Sequence, residues 1–443
     1  MASKRLCSSS PQGPAMMIWA FLGLVVSGPE NSSPPLPIPP RPILVTVDDL
    51  PLVDPDRHPK MADRKQITEE MLAALAKHRI QAVGLVTFSR VRWGDEALLT
   101  TWMSAGHELG NHSFAHLDLA ATSTETYILD IERGRAALER VTGRPIRFFR
   151  YPFLSEGETE PKLVAVQEYL TRSGQRSLPV TIDDQDWSFE PRYHGLRTID
   201  GKLPPDKEVA DRALTEEYHT SLRMAVRHHE RRGDDLLGRR APQILLLHGG
   251  EVSAKNWDGL FTWLEQTGHR FATVDEVLAD PAFLDPDGSK FVGQLGISLW
   301  DRIRVVRRDR AIRQEISGLL QDQVSAWNRG DVRVFCSAYT EDATFVSPAG
   351  LTRGRAGIQE RYSKKYSTKE LMGTLSLRTI ETRLHQGFEV SRFGDAEPSR
   401  VHGATAVLEW KLEYPSKPAA SGWSLITLIP TATGWRITQD ASM

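Results

Sequence analysis

Hydrophobic and polar residues alternate along most of the chain in blocks that predict strands followed by helices. The first block is residues 42–49, in which four apolar residues within a five-residue span run into two adjacent carboxylates. A short apolar run before polar residues is typical of a strand buried on both faces. Further strands are predicted at 82–87, 107–112, 147–150, 179–182, 244–247 and 270–272, and helices at 65–78, 96–105, 124–141, 162–172, 207–231 and 254–266. This alternation predicts an α/β fold with a parallel sheet, closed or nearly closed into a barrel.

The pattern changes after about residue 285. An arginine-rich stretch, 302–310, either starts a helix or links two domains, and apolar residues then recur at helical spacing up to Trp327. The remainder predicts a short helix at 332–339 and antiparallel strands at 343–346, 374–383, 405–414, 421–430 and 435–439. We therefore expect a barrel over residues 41–303, a linker over 304–310 and an α+β domain over 311–443.

The first forty residues have a different composition. Lys4 and Arg5 precede an apolar stretch of twelve residues, 15–26, and a proline-rich tail follows. Twelve apolar residues are too few to span a bilayer and match the core of a signal peptide. We expect a signal peptide or an uncleaved N-terminal anchor over 1–28, and an extended spacer over 29–40. The protein is then exported to the periplasm or the cell exterior.

Composition narrows the chemistry. The chain has 443 residues, with 40% hydrophobic and 25% charged side chains, as in ordinary globular proteins of two or three domains. A net charge of −2 and the lack of a long basic run argue against a nucleic-acid partner. Two cysteines cannot make a disulfide framework or a cysteine zinc site. A metal would therefore need histidine and carboxylate ligands.

Candidate ligands follow the predicted strands. Asp48 and Asp49 end the first one, and neighbouring side chains on a strand point in opposite directions, so one acid can hold a metal while the other moves protons. The alternative is a turn with solvated acids. His112 and His116 have the i, i+4 spacing that places both on one face of a helical turn, within reach of one metal. A solvated histidine pair is the alternative here.

Three further strand ends carry suitable side chains. Arg150 follows the strand at 147–150, Asp183 and Trp187 follow the next, and His248 follows 244–247. Taken singly, Arg150 reads as a surface cation, Trp187 as a core aromatic residue and His248 as a packed histidine. Five successive strand ends with such side chains are not expected by chance, and the carboxyl ends of parallel strands share one edge.

The ordered segments TVDD (46–49), HSFAH (112–116), RYPF (150–153), DDQDW (183–187) and LLH (246–248) resemble the five motifs of the polysaccharide deacetylases, carbohydrate esterase family four. The resemblance spans about residues 41–300. It implies a distorted (β/α) barrel that removes N-acetyl groups from a polysaccharide or oligosaccharide with a divalent metal, most often zinc. The chain departs from the family in having Leu50-Pro51 instead of Gly-Pro, and in its loop 51–60 and insertion 193–240.

The resemblance also implies roles for the polar residues at the strand ends. Asp49, His112 and His116 would hold the metal, with positions left for water and substrate. Asp48 would be the general base, and His248 the general acid that protonates the leaving amine. This division fits the chemistry, because an amide needs a polarised carbonyl and a protonated leaving group.

The same resemblance assigns supporting residues. Arg150 would orient the general base, and Asp183 would pair with the catalytic histidine and tune its pKa. The backbone N–H of Tyr151 would help to hold the oxyanion. Trp187 and Leu246 would form walls of the substrate pocket.

The C-terminal part, residues 311–443, is similar to SnoaL-like domains of the ketosteroid-isomerase superfamily. The similarity lies in WNRGD (327–331), DATF (342–345) and GWRI (434–437). Such domains include enzymes, binding modules and dimerisation units. Tyr339, Asp342 and Glu409 are candidate acid–base residues, but they make no convincing pair. We therefore expect a noncatalytic role, either homodimerisation or binding of part of the substrate.

Three functions remain open from the sequence. The first is deacetylation of an N-acetylated glycan, with a small non-sugar amide as another substrate class. The second is a noncatalytic carbohydrate-binding protein that keeps the barrel without turnover, although such a protein should have lost at least one of the five motif residues that carry the chemistry. The third makes the C-terminal domain the main function and the barrel its scaffold.

Overall fold

The computed structural model describes residues 39–198, 201–293, 296–390, 396–398 and 400–443. The predicted signal peptide or anchor over 1–28 lies outside these residues, as does the spacer up to residue 38, so both stay predictions. Across the described ranges, no helix combines the length and the apolar character needed to cross a membrane. Residues 40–443 form one compact unit.

The N-terminal part is a parallel sheet with helices. Its strands are β1 (Arg41–Leu50), β2 (Val83–Val86), β3 (Glu108–Asn111), β4 (Phe148–Phe149), β5 (Arg176–Ser177), β6 (Ile182–Asp183), β7 (Gln243–His248) and β8 (His269–Phe271). Its helices are α1 (Met61–Lys77), α2 (Glu96–Ser104), α3 (Thr124–Thr142), α4 (Glu160–Arg172), α5 (Phe189–Gly195), α6 (Glu208–Leu237), α7 (Glu251–Gln266) and α8 (Val274–Leu278). The strand order is β5-β4-β3-β2-β1-β7-β6, and β8 pairs with the start of β1. This curled parallel sheet confirms the predicted barrel-type α/β fold.

Strand β1 lies between β2 and β7 in the sheet, and both of its faces are buried. Ile43, Val45 and Val47 belong to one hydrophobic cluster and Leu44 to another, and all four are fully buried. Alternate residues of a strand point to opposite faces, so each cluster covers one side of the sheet. The continuous apolar run predicted from the sequence therefore has the burial expected of a strand inside a parallel sheet.

The C-terminal part is a six-stranded sheet with the order β10-β9-β16-β15-β14-β11. The elements of this part are α9 (Leu299–Arg329), α10 (Val332–Cys336), β9 (Tyr339–Ser347), β10 (Gly350–Arg353), α11 (Arg355–Lys365), α12 (Lys369–Met372), β11 (Thr374–His385), β12 (Phe388–Val390), β13 (Ala396–Pro398), β14 (Gly403–Glu413), β15 (Ala420–Thr431) and β16 (Gly434–Ser442). Strands β12 and β13 form a separate pair. The expected α+β class is confirmed.

Helix α9 connects the two parts. Its N-cap is Ser298, whose side chain accepts a hydrogen bond from the Asp301 backbone, and Gly330 ends the helix with a left-handed φ of 82°. Residues 304–310, predicted as a linker, are therefore helical. Trp300 packs in a small cluster beside the barrel, whereas Trp327 lies in the core of the C-terminal sheet. The domain boundaries given by the sequence stay a prediction.

A buried ion pair anchors the loop after β1. The guanidinium of Arg64 donates to both carboxylate oxygens of Asp95 at 2.8–3.0 Å, and their side chains are 3% and 0% exposed. The same guanidinium donates to the backbone carbonyls of His58 and Pro59 at 2.7 and 2.9 Å. The loop over 51–60 is thus fixed to α1 by a fully desolvated cation.

We expect Asp95→Ala to destabilise the protein by about 3–5 kcal/mol, because it leaves the Arg64 charge buried without a partner. Glu217→Ala is the matched control, since it removes the partner of Arg192 in an ion pair whose side chains are about half exposed. That change should cost about 0–1 kcal/mol. Urea unfolding followed by circular dichroism measures both values, and equal effects would contradict the role of the buried pair.

Candidate metal centre and catalytic site

The two carboxylates at the end of β1 point to different partners. Asp48 is still in the sheet, in register with His248 of β7. Asp49 has a φ of 64°, a left-handed conformation that is unfavourable for a non-glycine residue, and its side chain turns towards β2. There it accepts a hydrogen bond from the Thr87 hydroxyl and pairs with Arg90, each at 2.7 Å. The acids thus have separate surroundings, as expected from the sequence.

The three predicted metal ligands lie together. One ligand atom each from Asp49, His112 and His116 lies within 4.8 Å of the other two. The Nδ1 of His112 is 2.9 Å from the Arg150 carbonyl, which can only accept, so Nδ1 carries the proton and Nε2 is left as a ligand. The Nε2 of His116 lies 3.7 Å from a carboxylate oxygen of Asp49.

The segment that carries the two histidines is a loop, and the helical turn expected from their spacing is wrong. Ser113 and His116 both have positive φ values, 66° and 56°, which no helix contains. The Asp130 carboxylate fixes the loop by accepting the backbone N–H groups of residues 114 and 115 at 3.0–3.2 Å. Gly134 leaves room for it, since a Cβ there would lie 2.7 Å from the Ser113 backbone carbon.

The protonation states of His116 and Asp49 suit the binding of a cation. Burial and then His112 lower the pKa of His116 to about 4, so its imidazole is neutral at pH 7. Burial alone would raise the pKa of Asp49, but the neighbouring His116, His112 and Arg90 lower it to about 2. One carboxylate and two imidazoles are a donor set used by zinc sites that keep a position open for water. These residues therefore fit a divalent metal of the zinc type.

Arg150 holds the carboxylate of Asp48. Its Nη1 donates to Asp48 Oδ1 at 2.7 Å and to the Thr46 hydroxyl at 2.8 Å, and its Nε donates to the Leu178 carbonyl at 3.1 Å. The arginine side chain is only 1% exposed. The second oxygen of Asp48, Oδ2, lies 3.6 Å from His112 Nε2. Arg150 thus aims one oxygen of Asp48 at the candidate metal centre.

The partner of His248 is Asp186, which corrects the expected pairing with Asp183. Asp186 Oδ1 lies 2.7 Å from His248 Nδ1, and its Oδ2 accepts the His248 backbone N–H at 2.9 Å. The register explains the error: Asp183 is level with Leu246, two residues before the histidine and roughly 6.6 Å away along the strand. Its carboxylate accepts the Gln185 backbone N–H at 3.2 Å. In the sequence, Asp186 could have been found only as the third acid of the DDQD segment, residues 183–186.

Asp186 sets the charge of His248. Burial alone lowers the pKa of this imidazole, but the bonded carboxylate of Asp186, aided by Asp49 and Asp48, raises it to about 9. The side chain of Asp186 is fully buried, so water does not weaken the interaction. His248 is therefore protonated at neutral pH and can give up a proton from Nε2.

The three predicted substrate residues have different surroundings. Trp187 is 48% exposed. Leu246 is buried and packs against Leu154 and Val180. The side chain of Tyr151 is also buried, in a separate apolar cluster, and its hydroxyl has no hydrogen-bond partner among the described residues. The role expected of Tyr151 concerns its backbone N–H and stays a prediction.

Sequence reasoning missed two residues of the site. Arg90 pairs with Asp49 and also donates to the Val53 carbonyl at 2.7 Å, so it links the candidate metal centre to the loop over 51–60. Phe153 is 60% exposed, and its ring centre lies 4.5 Å from that of His116. Arg90 lies outside the five motif segments, and Phe153 was assigned no role. Only the presence of Phe153 in the RYPF segment could have suggested it.

The C-terminal part contains a cavity of about 380 Å³, lined mostly by aromatic and aliphatic side chains. Tyr339, one of the expected candidates, lies in its wall and donates to Asp440 Oδ2 at 2.6 Å, and burial raises the pKa of Asp440. Asp342 is exposed, and Glu409 pairs with Arg378 at 2.7 Å on a partly exposed surface. The polar centre of the cavity is therefore the Tyr339–Asp440 pair.

Comparisons with known proteins found a similar family and a similar curated protein. Residues 37–170 match the family model described as polysaccharide deacetylase. The uncharacterized protein YlxY of Bacillus subtilis is 21% identical over 216 residues, 49% of this chain, which spans about half (54%) of that relative's length.

Two solved structures are each similar to a part of the chain. A CE4 family pseudoenzyme from Bacillus anthracis, BA3943, is 15% identical and covers 54% of this chain and 70% of its own, with a TM-score of 0.38. An NTF-2-like protein of unknown function from Shewanella oneidensis MR-1 is 25% identical and covers 29% of this chain and 97% of its own, with a TM-score of 0.24. The similarity to the polysaccharide deacetylase family is thus carried by residues 37–170.

Proposed function

We propose that the N-terminal part of this protein removes N-acetyl groups from a carbohydrate by metal-dependent hydrolysis. The observation that carries the proposal is the convergence of Asp49, His112 and His116 within 4.8 Å of one another, next to Asp48. The zinc-type donor set and the family of residues 37–170 support it. A deacetylase is a hydrolase of carbon–nitrogen bonds other than peptide bonds.

The metal would be held by Asp49 and by the Nε2 atoms of His112 and His116. When bound, such an ion polarises an amide carbonyl and lowers the pKa of water from ~15.7 towards ~7. The Nδ1–H bond from His112 to a carbonyl fixes the tautomer that this role requires. The acidic pKa of His116 keeps the second imidazole available at neutral pH.

Asp48 and His248 would then divide the proton transfers. Asp48 takes a proton from the attacking water, with Arg150 keeping its carboxylate aimed. His248 gives its Nε2 proton to the leaving amine nitrogen, because Asp186 holds the opposite ring nitrogen. The proton that leaves the water and the proton that joins the amine thus pass through different residues.

Two other functions are possible for this site, carbohydrate binding without catalysis and hydrolysis of a small non-sugar amide. A noncatalytic carbohydrate-binding protein needs no intact acid–base set, yet Asp48 and His248 keep partners that suit catalysis. Hydrolysis of a small non-sugar amide uses the same chemistry, and the glycan assignment follows the family alone. The substrate screen below separates these outcomes.

We expect His112→Ala/His116→Ala to abolish metal binding at this centre and to lower acetate release by at least about 1,000-fold. Acetate release is measured from N-acetylated chitooligosaccharides, peptidoglycan fragments and acetylated xylan, and metal content by elemental analysis. His402→Ala is the control, because that side chain is exposed and far along the chain. Unchanged acetate release after loss of the metal would contradict the proposal, and inactivity of the wild type on every substrate would favour the noncatalytic function.

The pH profile gives a second test. His248 must be protonated to act as an acid, so activity should fall as the pH rises through its pKa of about 9. Asp186→Asn removes the charge that raises this pKa, so the alkaline limb should move down by at least one pH unit and kcat should fall about 10- to 100-fold. Asp183→Asn is the matched control and should leave the limb in place. Equal shifts in both variants would contradict the assigned pairing.

We further propose that the C-terminal part is a noncatalytic SnoaL-like domain that joins two copies of the chain. Trp423, Leu425 and Ile429 of β15 are 46%, 48% and 37% exposed, and they alternate with buried residues, so they share the outer face of the sheet. A row of large exposed apolar side chains on one sheet face is typical of a protein–protein contact.

We expect the wild-type protein to be a dimer in multi-angle light scattering at tens of micromolar, and Trp423→Asp/Leu425→Asp to be a monomer because each charge would be buried without a partner. Trp93→Asp is the control, since that side chain is 98% exposed in the N-terminal part. A monomeric wild type would contradict the homodimer.

A further inference from the structure

A second group of potential metal ligands lies outside the centre described above. His58 follows the loop after β1, His194 lies in α5, and Glu251 starts α7. One ligand atom from each lies within 4.8 Å of the other two, and the two imidazole ring centres are 5.3 Å apart. The group shares no residue with Asp49, His112 and His116.

A second carboxylate, that of Glu190, contacts one member of this group, His194. The side chain of Glu190 is buried, and its Oε1 accepts the Val252 backbone N–H at 3.0 Å. Its Oε2 accepts no hydrogen bond within the described residues and lies 3.3 Å from His194 Nε2. Ligand bonds of ~2.0–2.1 Å in a tetrahedron place neighbouring donors roughly 3.3 Å apart, so this spacing is the one expected between two ligands of one zinc ion.

The backbone around Glu190 is adapted to its position. A Cβ at Gly250 would lie 1.7 Å from Glu190 Oε1, so only glycine permits the carboxylate to reach the start of α7. Oε1 is occupied by the Val252 N–H, which leaves Oε2 directed at His194. The fixed orientation means that little side-chain freedom would be lost when an ion binds.

The remaining contacts leave ligand atoms available. Glu251 accepts a hydrogen bond from the Tyr193 hydroxyl at 3.1 Å and lies 3.2 Å from Lys255 Nζ, and both contacts use Oε1. Burial and then His194 lower the pKa of His58, which favours the neutral imidazole that a metal needs. The ammonium of Lys255 offsets part of the charge of two carboxylates.

We propose that His58, His194, Glu190 and Glu251 form a second site, for zinc or a similar divalent transition metal. Two imidazoles and two carboxylates give four donors, the number in closed structural zinc sites, and imidazole excludes magnesium and calcium as the favoured ions. The ion fastens the loop over 51–60 to α5 and α7. His58 and His194 come from the loop and the insertion that distinguish this chain within its family resemblance, and the site does not depend on the proposed deacetylation.

Metal stoichiometry of the full chain tests the site. The protein is stripped with a chelator, reloaded with zinc at micromolar concentration and analysed for bound metal. We expect two ions per wild-type chain, one in His112→Ala/His116→Ala, one in His58→Ala/His194→Ala, and none when all four are changed. His402→Ala should keep two. Acetate release is not the readout, so an inactive enzyme leaves this test unaffected.

A more conservative variant controls for misfolding of the alanine variants. Glu251→Gln keeps the side-chain shape, and in the His112→Ala/His116→Ala background it should weaken zinc binding at least 10-fold while the circular dichroism spectrum stays the same. In that background zinc should also raise the melting temperature, because an ion that binds only the folded chain stabilises it. A folded His112→Ala/His116→Ala protein that binds no zinc, or a His58→Ala/His194→Ala protein that still binds two ions, would overturn the proposal.

Discussion

One buried guanidinium joins four strand ends of the N-terminal sheet. Arg150 contacts Thr46 and Asp48 on β1 and the carbonyl that follows β5, while its own carbonyl fixes the ring of His112 after β3. A cation this deeply buried is tolerable only when its N–H groups are satisfied, so its partners must keep their places. The contacts that satisfy the charge also aim Asp48, and the backbone carbonyl of Arg150 sets the tautomer of His112. The order of the site thus follows from the electrostatic needs of one side chain.

Backbone strain collects at this rim of the sheet. Asp49, Ser113, His116, Phe153 and Gln185 all have φ values between 55° and 66°, which side chains other than glycine rarely adopt. Such conformations persist only where the surroundings over-determine them. Here Asp130 holds the loop that carries the two histidines, and Arg90 and Thr87 hold Asp49. These left-handed backbone conformations turn side chains from separate strands towards the candidate metal centre, which the regular backbone of a strand would not allow.

Charged side chains also hold segments outside the five motifs, in particular the loop over 51–60. Arg64 fixes the loop over 51–60 through the carbonyls of His58 and Pro59, and Arg90 ties Val53 of the same loop to Asp49. The loop therefore couples the candidate metal centre to the group formed by His58 and α5. In the C-terminal part, by contrast, the cavity is lined mostly by apolar side chains, and the hydrogen-bonded Tyr339–Asp440 pair lies in its wall. The polar groups of the two parts therefore differ in kind. The two parts are joined by one continuous helix, α9.

The sequence alone determined the order of strands and helices, because apolar periodicity reports which faces are buried. It also determined which strand ends carry acids and histidines, since the carboxyl ends of parallel strands must share one edge. For that reason it could be predicted that Asp49, His112 and His116 lie together and that Asp48 and Arg150 lie beside them. Short elements such as β5 and α5 could not, because two to seven residues carry too little periodic signal.

Tertiary structure alone decided the rest. Asp186 rather than Asp183 meets His248 because the register of β6 on β7 sets Asp183 two residues short. The histidine pair lies on a strained loop, since hydrogen bonds from the loop to Asp130 override the helical spacing. Arg90 and Asp440 contact residues more than 35 positions away, and Glu190 accepts the backbone N–H of Val252, 62 positions away. Such contacts depend on distances across the fold, and no local pattern of residues encodes those distances.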